Sequence, residues 1–402
     1  MKQALCGGYN GDATGANCFA PVHGGVSWTS VEINSSGIVT TAGTISKLRV
    51  HLSNAPADAA TRTFTLYVNS NPTALTVTFG AADTTKQDLA HSVNVAVGDV
   101  VVLKHTLTAA PTACSTIRWG MLFTGTTAKQ SLILGSLGFI PQGTTRYSPA
   151  QFAGGANSLE PGQKVYAPTS FTFKNMYIKM GAAPGGAETA SFTLRKNGAP
   201  TGITLTITGA ATTGNVTADV AAVQGDAFDI QSIASAGCTN NFFAAFGLAI
   251  EATIDGESVV MSHYSSGPAT GATNWVKNFT ATGFWDATET NSYQLTLDQT
   301  MKKLYVILDG SPGAGNSYTF TLRDAGNTLL SVIIQNAETS KADNVNSVDV
   351  HNDDDLTFQC VPAGPPTARN AWWSMVEYQA SGGLPESRFG SPASKLIAAG
   401  IL

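Results

Sequence analysis

The chain repeats itself at a fixed spacing, and that spacing limits its possible folds more than any other feature. RTFTLYVN places Phe64 and Leu66 where SFTLRKNG places Phe192 and Leu194 and TFTLRDAG places Phe320 and Leu322, each set 128 residues after the last. Leu48 in ISKLRVHL, Met176 in FKNMYIKM and Leu304 in MKKLYVIL keep the same interval. Towards the end of each copy Gly120, Gly247 and Ser374 fall 127 apart, so one-residue slips lie between strands. KQAL, from Lys2 to Leu5, finds an echo in KQSL, from Lys129 to Leu132, and in ESVV, from Glu257 to Val260. The repeats then occupy 1–128, 129–256 and 257–384, leaving 385–402 as a C-terminal tail or docking arm.

A unit of this size is a whole domain, whereas solenoid and propeller units of about 20 to 50 residues cannot bury a core alone. The links around Gly125 to Lys129 and Asp255 to Glu257 are only a few residues long, so neighbouring copies are expected to lie tightly together. Within each copy the apolar period is two. Leu75, Val77 and Phe79 alternate with Thr76 and Thr78, and Ile203, Leu205 and Ile207 are separated by threonines, as in half-buried strands. Asn69 to Pro72, Asn197 to Pro200 and Asp324 to Asn327 supply hairpin-turn chemistry between such runs. A second turn recurs at Asp99, Asp226 and Asp354. With no 11-residue amphipathic helix interrupting them, these strands predict an all-β chain of three tandem antiparallel β-sandwich domains, jelly-roll-like in each copy.

Composition narrows the function. Charged residues make up only 12% of the chain and its net charge is −5, which offers no clustered Lys and Arg for phosphate contacts; nucleic acid is not an expected partner. No apolar stretch reaches the length of a membrane span and the first residues, MKQALCGGYNGD, lack a secretory apolar run, so membrane insertion is not expected and synthesis in a cytoplasm is. The five cysteines include no Cys-x-x-Cys pair, so zinc is not expected. Cys6 and Cys18 flank a Gly-rich segment and could close a small loop; buried free thiols are the commoner state in a cytoplasmically made protein.

Residues that could carry chemistry are few. The six histidines are scattered, and none recurs in all three copies; His51 and His105 read as surface or hydrogen-bonded core residues. Asp353, Asp354 and Asp355 form the one acidic run and could hold a calcium ion, but Asp354 aligns with the single turn aspartates Asp99 and Asp226, which favours a turn-stabilising role. Trp372 and Trp373, matching Arg118 with Trp119 and Ala245 with Phe246, could stack on a sugar or pack in a core, and packing is favoured. No catalytic, metal or cofactor residue is assigned, and no enzyme activity is expected.

The run FTLRKNG (Phe192 to Gly198), the following TLTIT (Thr204 to Thr208) and the turn at Gly225 and Asp226 resemble the jelly-roll repeats of virion proteins of tailed bacteriophages, and more distantly jelly rolls of the tumour-necrosis-factor type. The third copy departs from this pattern, with DAG for KNG and Asp353 for the turn glycine. The resemblance implies a single-chain pseudo-trimer located in the virion and made in the host cytoplasm. Its expected role is an outer capsid decoration, collar or fibre-base component, touching other virion proteins and forming a homo-oligomer or multi-copy assembly. The alternative is a host-recognition tail-fibre or spike module whose partner is a host surface glycan or other receptor.

Overall fold

Alternation of threonine with Leu, Ile, Val and Phe leaves each copy one choice, to pack the apolar faces of two sheets together. The structure, a computed structural model, describes residues 1–13, 17–25, 28–57, 59–263, 267–280, 284–352 and 354–380. The first set of strands is β1 (Lys2–Asn10), β2 (Asn17–Ala20), β3 (Gly37–Ile38), β4 (Gly43–Leu52), β5 (Thr61–Val68), β6 (Asn71–Phe79), β7 (Thr85–Val95), β8 (Val100–Thr108) and β9 (Thr116–Gly125). The second is β10 (Gln130–Ile140), β11 (Thr145–Pro149), β12 (Val165–Tyr166), β13 (Phe171–Met180), β14 (Thr189–Lys196), β15 (Ala199–Thr208), β16 (Thr213–Ala222), β17 (Ala227–Ala234) and β18 (Phe242–Ala252). The third is β19 (Glu257–His263), β20 (Asn274–Val276), β21 (Gln294–Leu295), β22 (Gln299–Leu308), β23 (Gly313–Asp324), β24 (Asn327–Asn336), β25 (Ser340–Val350), β26 (Asp355–Ala363) and β27 (Ala371–Tyr378).

Every set folds the same way. In the first, one sheet runs β1-β9-β4-β7 and the other β2-β8-β5-β6, with the short β3 added beside β8. The second and third reproduce this order as β10-β18-β13-β16 with β11-β17-β14-β15, and β19-β27-β22-β25 with β20-β26-β23-β24. All pairings are antiparallel, so the protein is all-β with sandwich domains of jelly-roll type, as the strand pattern predicts. Among the described residues no α-helix occurs; three short 3-10 turns, Glu32–Asn34, Pro161–Gln163 and Glu289–Ser292, precede β3, β12 and β21.

Register corrects one reading of the sequence. Leu5 pairs with Met121, Ile133 with Leu248 and Val260 with Met375, so Leu5 is equivalent to Ile133 rather than to Leu132. KQAL and KQSL therefore match in letters but not in position, and the first strand of the second copy starts one residue later.

Low charge follows from how the outer faces are covered. Thr63 faces Thr78 at 3.0 Å, Thr65 faces Thr76 at 2.8 Å, Ser191 faces Thr206 at 2.9 Å, Thr193 faces Thr204 at 3.2 Å and Thr321 faces Ser331 at 3.1 Å. Cross-strand hydroxyl pairs of this kind hold the hairpins together without charged side chains.

Both turns recur in detail. The amides of Ala96, Val223 and His351 donate to Asp99, Asp226 and Asp354 at 2.7, 2.8 and 2.8 Å, so Asp354 stabilises its turn as its counterparts do. Asp353 lies outside the described residues. At the hairpin tips Asn69 (φ 51°), Asn197 (φ 52°) and Ala325 (φ 42°) all occupy the left-handed region, so DAG keeps the geometry of KNG. Asn tolerates that region; Ala pays for its Cβ by roughly 1 to 2 kcal/mol. In the third copy the neighbouring Asp324 instead accepts from the Asp355 amide at 2.9 Å, the bond that Asn69 and Asn197 accept from Val100 and Ala227. Ala325→Gly is therefore expected to stabilise the third sandwich by about 1 kcal/mol, visible as a raised urea midpoint.

Candidate functional site: the junction of the three domains

In each first sheet the opening strand, β1, β10 or β19, is an edge, and an unpaired edge carries a row of unsatisfied N–H and C=O groups. Side chains of the preceding domain supply partners to two of these edges. The Gln3 amide donates to the Leu132 carbonyl at 2.9 Å and its oxygen accepts from the Leu132 N–H at 2.9 Å. Gln151 does the same one domain on, donating to Val259 O at 3.0 Å and accepting from Met261 N at 2.8 Å. Both glutamines are fully buried.

Packing follows the same circuit. The short strand β3 lies against β10 and β18, β12 against β19 and β27, and β21 against β1 and β9. The opening strands β1, β10 and β19 each touch the other two. Hydrophobic cores interlock as well: Leu132 and Leu134 join the first core, Val259 and Met261 the second, and Ala4 and Cys6 the third. Domain one thus contacts two, two contacts three and three returns to one.

Each joint has its own chemistry. Between the first and second domains Ile38 and Val100 pack on Ala245, and a Cβ on Gly247 would overlap the Ile38 carbonyl oxygen. Between the second and third, Tyr166 meets the edge of Trp372 at 5.6 Å, Lys303 bonds Thr169 at 3.1 Å and Gln224 bonds Asn344 at 2.9 Å. Between the third and first, Arg118, bonded to His51 of its own domain at 2.7 Å, pairs with Asp355 and lies over the Tyr293 ring at 5.9 Å. The links converge too, since the Lys129 amide donates to Asp255 at 2.7 Å, the leading cause of that carboxyl's lowered pKa.

Where the three domains meet, residues 23–24, 151–152 and 278–279 occupy equivalent places. The His23 ring stands edge-on to Phe152 at 4.9 Å and 5.9 Å from Phe279. It is fully buried, neither ring nitrogen has a hydrogen-bond partner, and burial pushes its pKa down to about 3. Gly24 leaves the room that Phe152 fills; a Cβ there would strike the Phe152 ring. Nearby, burial pushes the Cys6 thiol up, with Glu377 adding to the rise, and lowers Lys277 to about 8. Glu377, fully enclosed, accepts from Gln299 and Ser258 at 3.2 Å each, yet burial still raises its carboxyl to about 8.

The residues singled out in the sequence fall as follows. Cys6 and Cys18 are both free and buried, as are Cys114, Cys238 and Cys360. Trp372 and Trp373 are buried, Trp373 stacking on Phe358 at 4.9 Å and donating to Asn278 O, so their faces serve packing. His51 is hydrogen-bonded, but His105 is not: it is buried against Phe64 at 4.7 Å with no partner at either nitrogen. It packs against the rings of Phe64 and Trp28, which offer its nitrogens no acceptor, and this explains the departure from expectation. The tail 385–402 lies outside the described residues. Sequence reading passed over Gln3, His23, Gln151 and Phe152, because equivalent positions there hold different residues; the signal available was that very divergence within an otherwise regular repeat.

One open groove lies elsewhere, about 530 Å³ between β6 and β7, lined by Thr76, Lys86, Asp88 and His91 among others. Asp88 accepts from the amides of Thr76, Ala90 and His91, each at 3.1 Å, and from the His91 ring at 2.9 Å. Asp343 supports the equivalent bulge through Val345 and Asn346, so this carboxylate shapes the strand. Among the described residues no helix is long and apolar enough to cross a membrane.

No protein-family model matches this chain, and no curated protein matches it. Among solved structures it is similar to the M60 catalytic domain with the CBM51-1 and CBM51-2 domains from Clostridium perfringens ZmpB. That match has 10% identity and a TM-score of 0.20, and it takes in 85% of this chain and 33% of that one. At that TM-score the likeness bears on neither fold nor function.

Two outcomes follow from the joints. Gly247→Ala should destabilise the first joint by about 1 to 3 kcal/mol, whereas Gly120→Ala, whose Cβ would meet Leu297 at an ordinary 3.5 Å, should change stability by less than about 0.5 kcal/mol in urea unfolding. Because the folded Glu377 carboxyl is raised above its unfolded value of 4.5, its contribution to stability is lost as pH rises through about 8. Glu377→Gln should therefore gain in melting temperature over the natural protein progressively from pH 4.5 to 8, with no further gain above.

Proposed function

We propose that the protein is a structural component of a virus particle, an outer decoration, collar or fibre-base element that works through contacts with other virion proteins and not through catalysis. The observation that supports this reading is the closed circuit of contacts among the three domains, which suits one chain standing in for three separate subunits. Fusion keeps the second and third domains at high effective concentration and avoids most of the association cost, about 4 to 15 kcal/mol for free partners. Three chemically distinct joints fix the order of domains around the circuit, and leave the outward loops free to differ. Of the perturbed titratable groups, His23 and Cys6 are sealed inside the junction and Glu377 inside the third sandwich, which suits a rigid building block.

Recognition of a host glycan is the second reading, and it loses its strongest candidate platform with the burial of Trp372 and Trp373. Electron microscopy of purified particles labelled with antibody against this chain tests the proposal. Label at a fixed set of positions supports it; particles without label, together with saturable binding of the isolated protein on a glycan array, would replace it with the recognition reading.

A further inference from the structure

We propose that His23 is an acid sensor for the junction: protonation of its ring, held between Phe152 and Phe279, loosens the contacts between domains while each sandwich stays folded. The geometry points there because the imidazole is fully buried, both nitrogens are without partners, and its walls belong to the other two domains. A charged ring cannot be solvated in that place except by parting Phe152 and Phe279 from the 23–25 segment. Among the described residues that segment is held by Gly24 N to Cys6 O at 2.8 Å, Gly25 N to Phe279 O at 3.1 Å and Thr280 Oγ1 to Gly25 O at 3.4 Å. Only the first of these stays within one domain.

The sign is fixed by linkage. A parted junction lets His23 titrate near its ordinary 6.5, while the closed one holds it at about 3. Closed packing is therefore undisturbed above pH 6.5, and each pH unit below that favours the open form about tenfold, until about pH 3. Other groups around the ring do not share this behaviour. The β1 side brings Cys6, a neutral thiol throughout the acid range; the 277–280 segment brings Lys277, already charged below about 8; β27 brings Glu377, whose partners Gln299 and Ser258 lie in its own sandwich, so that it stays enclosed and protonated when the domains part. Residues 150–153 and the facing part of β10, Leu132 to Leu134, contain no titratable side chain. Between pH 6.5 and 4.5 only His23 changes its charge preference at this place. Copies two and three carry Gln151 and Asn278 in the equivalent position, so neither repeats the device.

Cys6 reports the opening directly, since it is buried at the same junction, while Cys18 and Cys114 sit in the first core and Cys238 in the second. The full chain is treated with 4,4′-dithiodipyridine, which reacts with thiols in acid, at pH 6.5 and 4.5, and each cysteine is followed by peptide mass spectrometry. Labelling of Cys6 relative to Cys238 is expected to rise about fiftyfold across this range, and to stay flat in His23→Gln. His23→Asn, copying Asn278, provides a second variant, and circular dichroism checks that both remain folded. Equal rises in the natural protein and in both variants would overturn the proposal. So would labelling of Cys18 and Cys114 in step with Cys6, which would show the first sandwich unfolding through His105 instead.

Discussion

An edge strand needs a partner, and the arrangement of this protein depends on how three such edges find theirs. β1, β10 and β19 are each the last strand of a sheet, and an isolated domain would expose them as templates for unwanted pairing. Here they are gathered at one junction, where Gln3 and Gln151 satisfy the backbone of β10 and β19 and apolar side chains from each strand complete the neighbouring core. The same contacts that satisfy the edges also bind the domains to one another.

A junction between three domains of one chain can contain unlike residues. Three identical subunits would place three identical residues around the axis, whereas this chain sets one histidine and a glycine against two phenylalanines, and joins its domains by an apolar, an aromatic and an ionic contact in turn. Distinct joints make the cyclic order unambiguous, and they leave little room for a second chain to insert in place of the proper neighbour. A cost accompanies this: His23, Glu377 and Ala325 are each strained or desolvated in ways their counterparts are not.

Much of this was legible in the sequence, for a definite reason. Phe64, Phe192 and Phe320 fill the same core position in three copies, so the residue type had to repeat, and the turn aspartates repeat because each accepts the same backbone amide. Letters misled where no such constraint acts, as when KQAL and KQSL suggested a register that strand pairing shifts by one. The junction was hidden because its positions are unlike by necessity; a search that rewards identity passes over His23, Gln151 and Asn278. Nor could composition show that His105 would be buried among rings without a hydrogen bond.

Hydrogen exchange at two amides tests the central claim most directly. The N–H groups of Leu132 and Met261 lie on strand edges and are protected only by glutamine side chains from another domain. The account predicts exchange as slow as that of interior strands such as β9 and β18, and selective loss of protection at Leu132 in Gln3→Ala. Exchange of both amides at the rate of exposed loops in the natural protein would show open edges and contradict it.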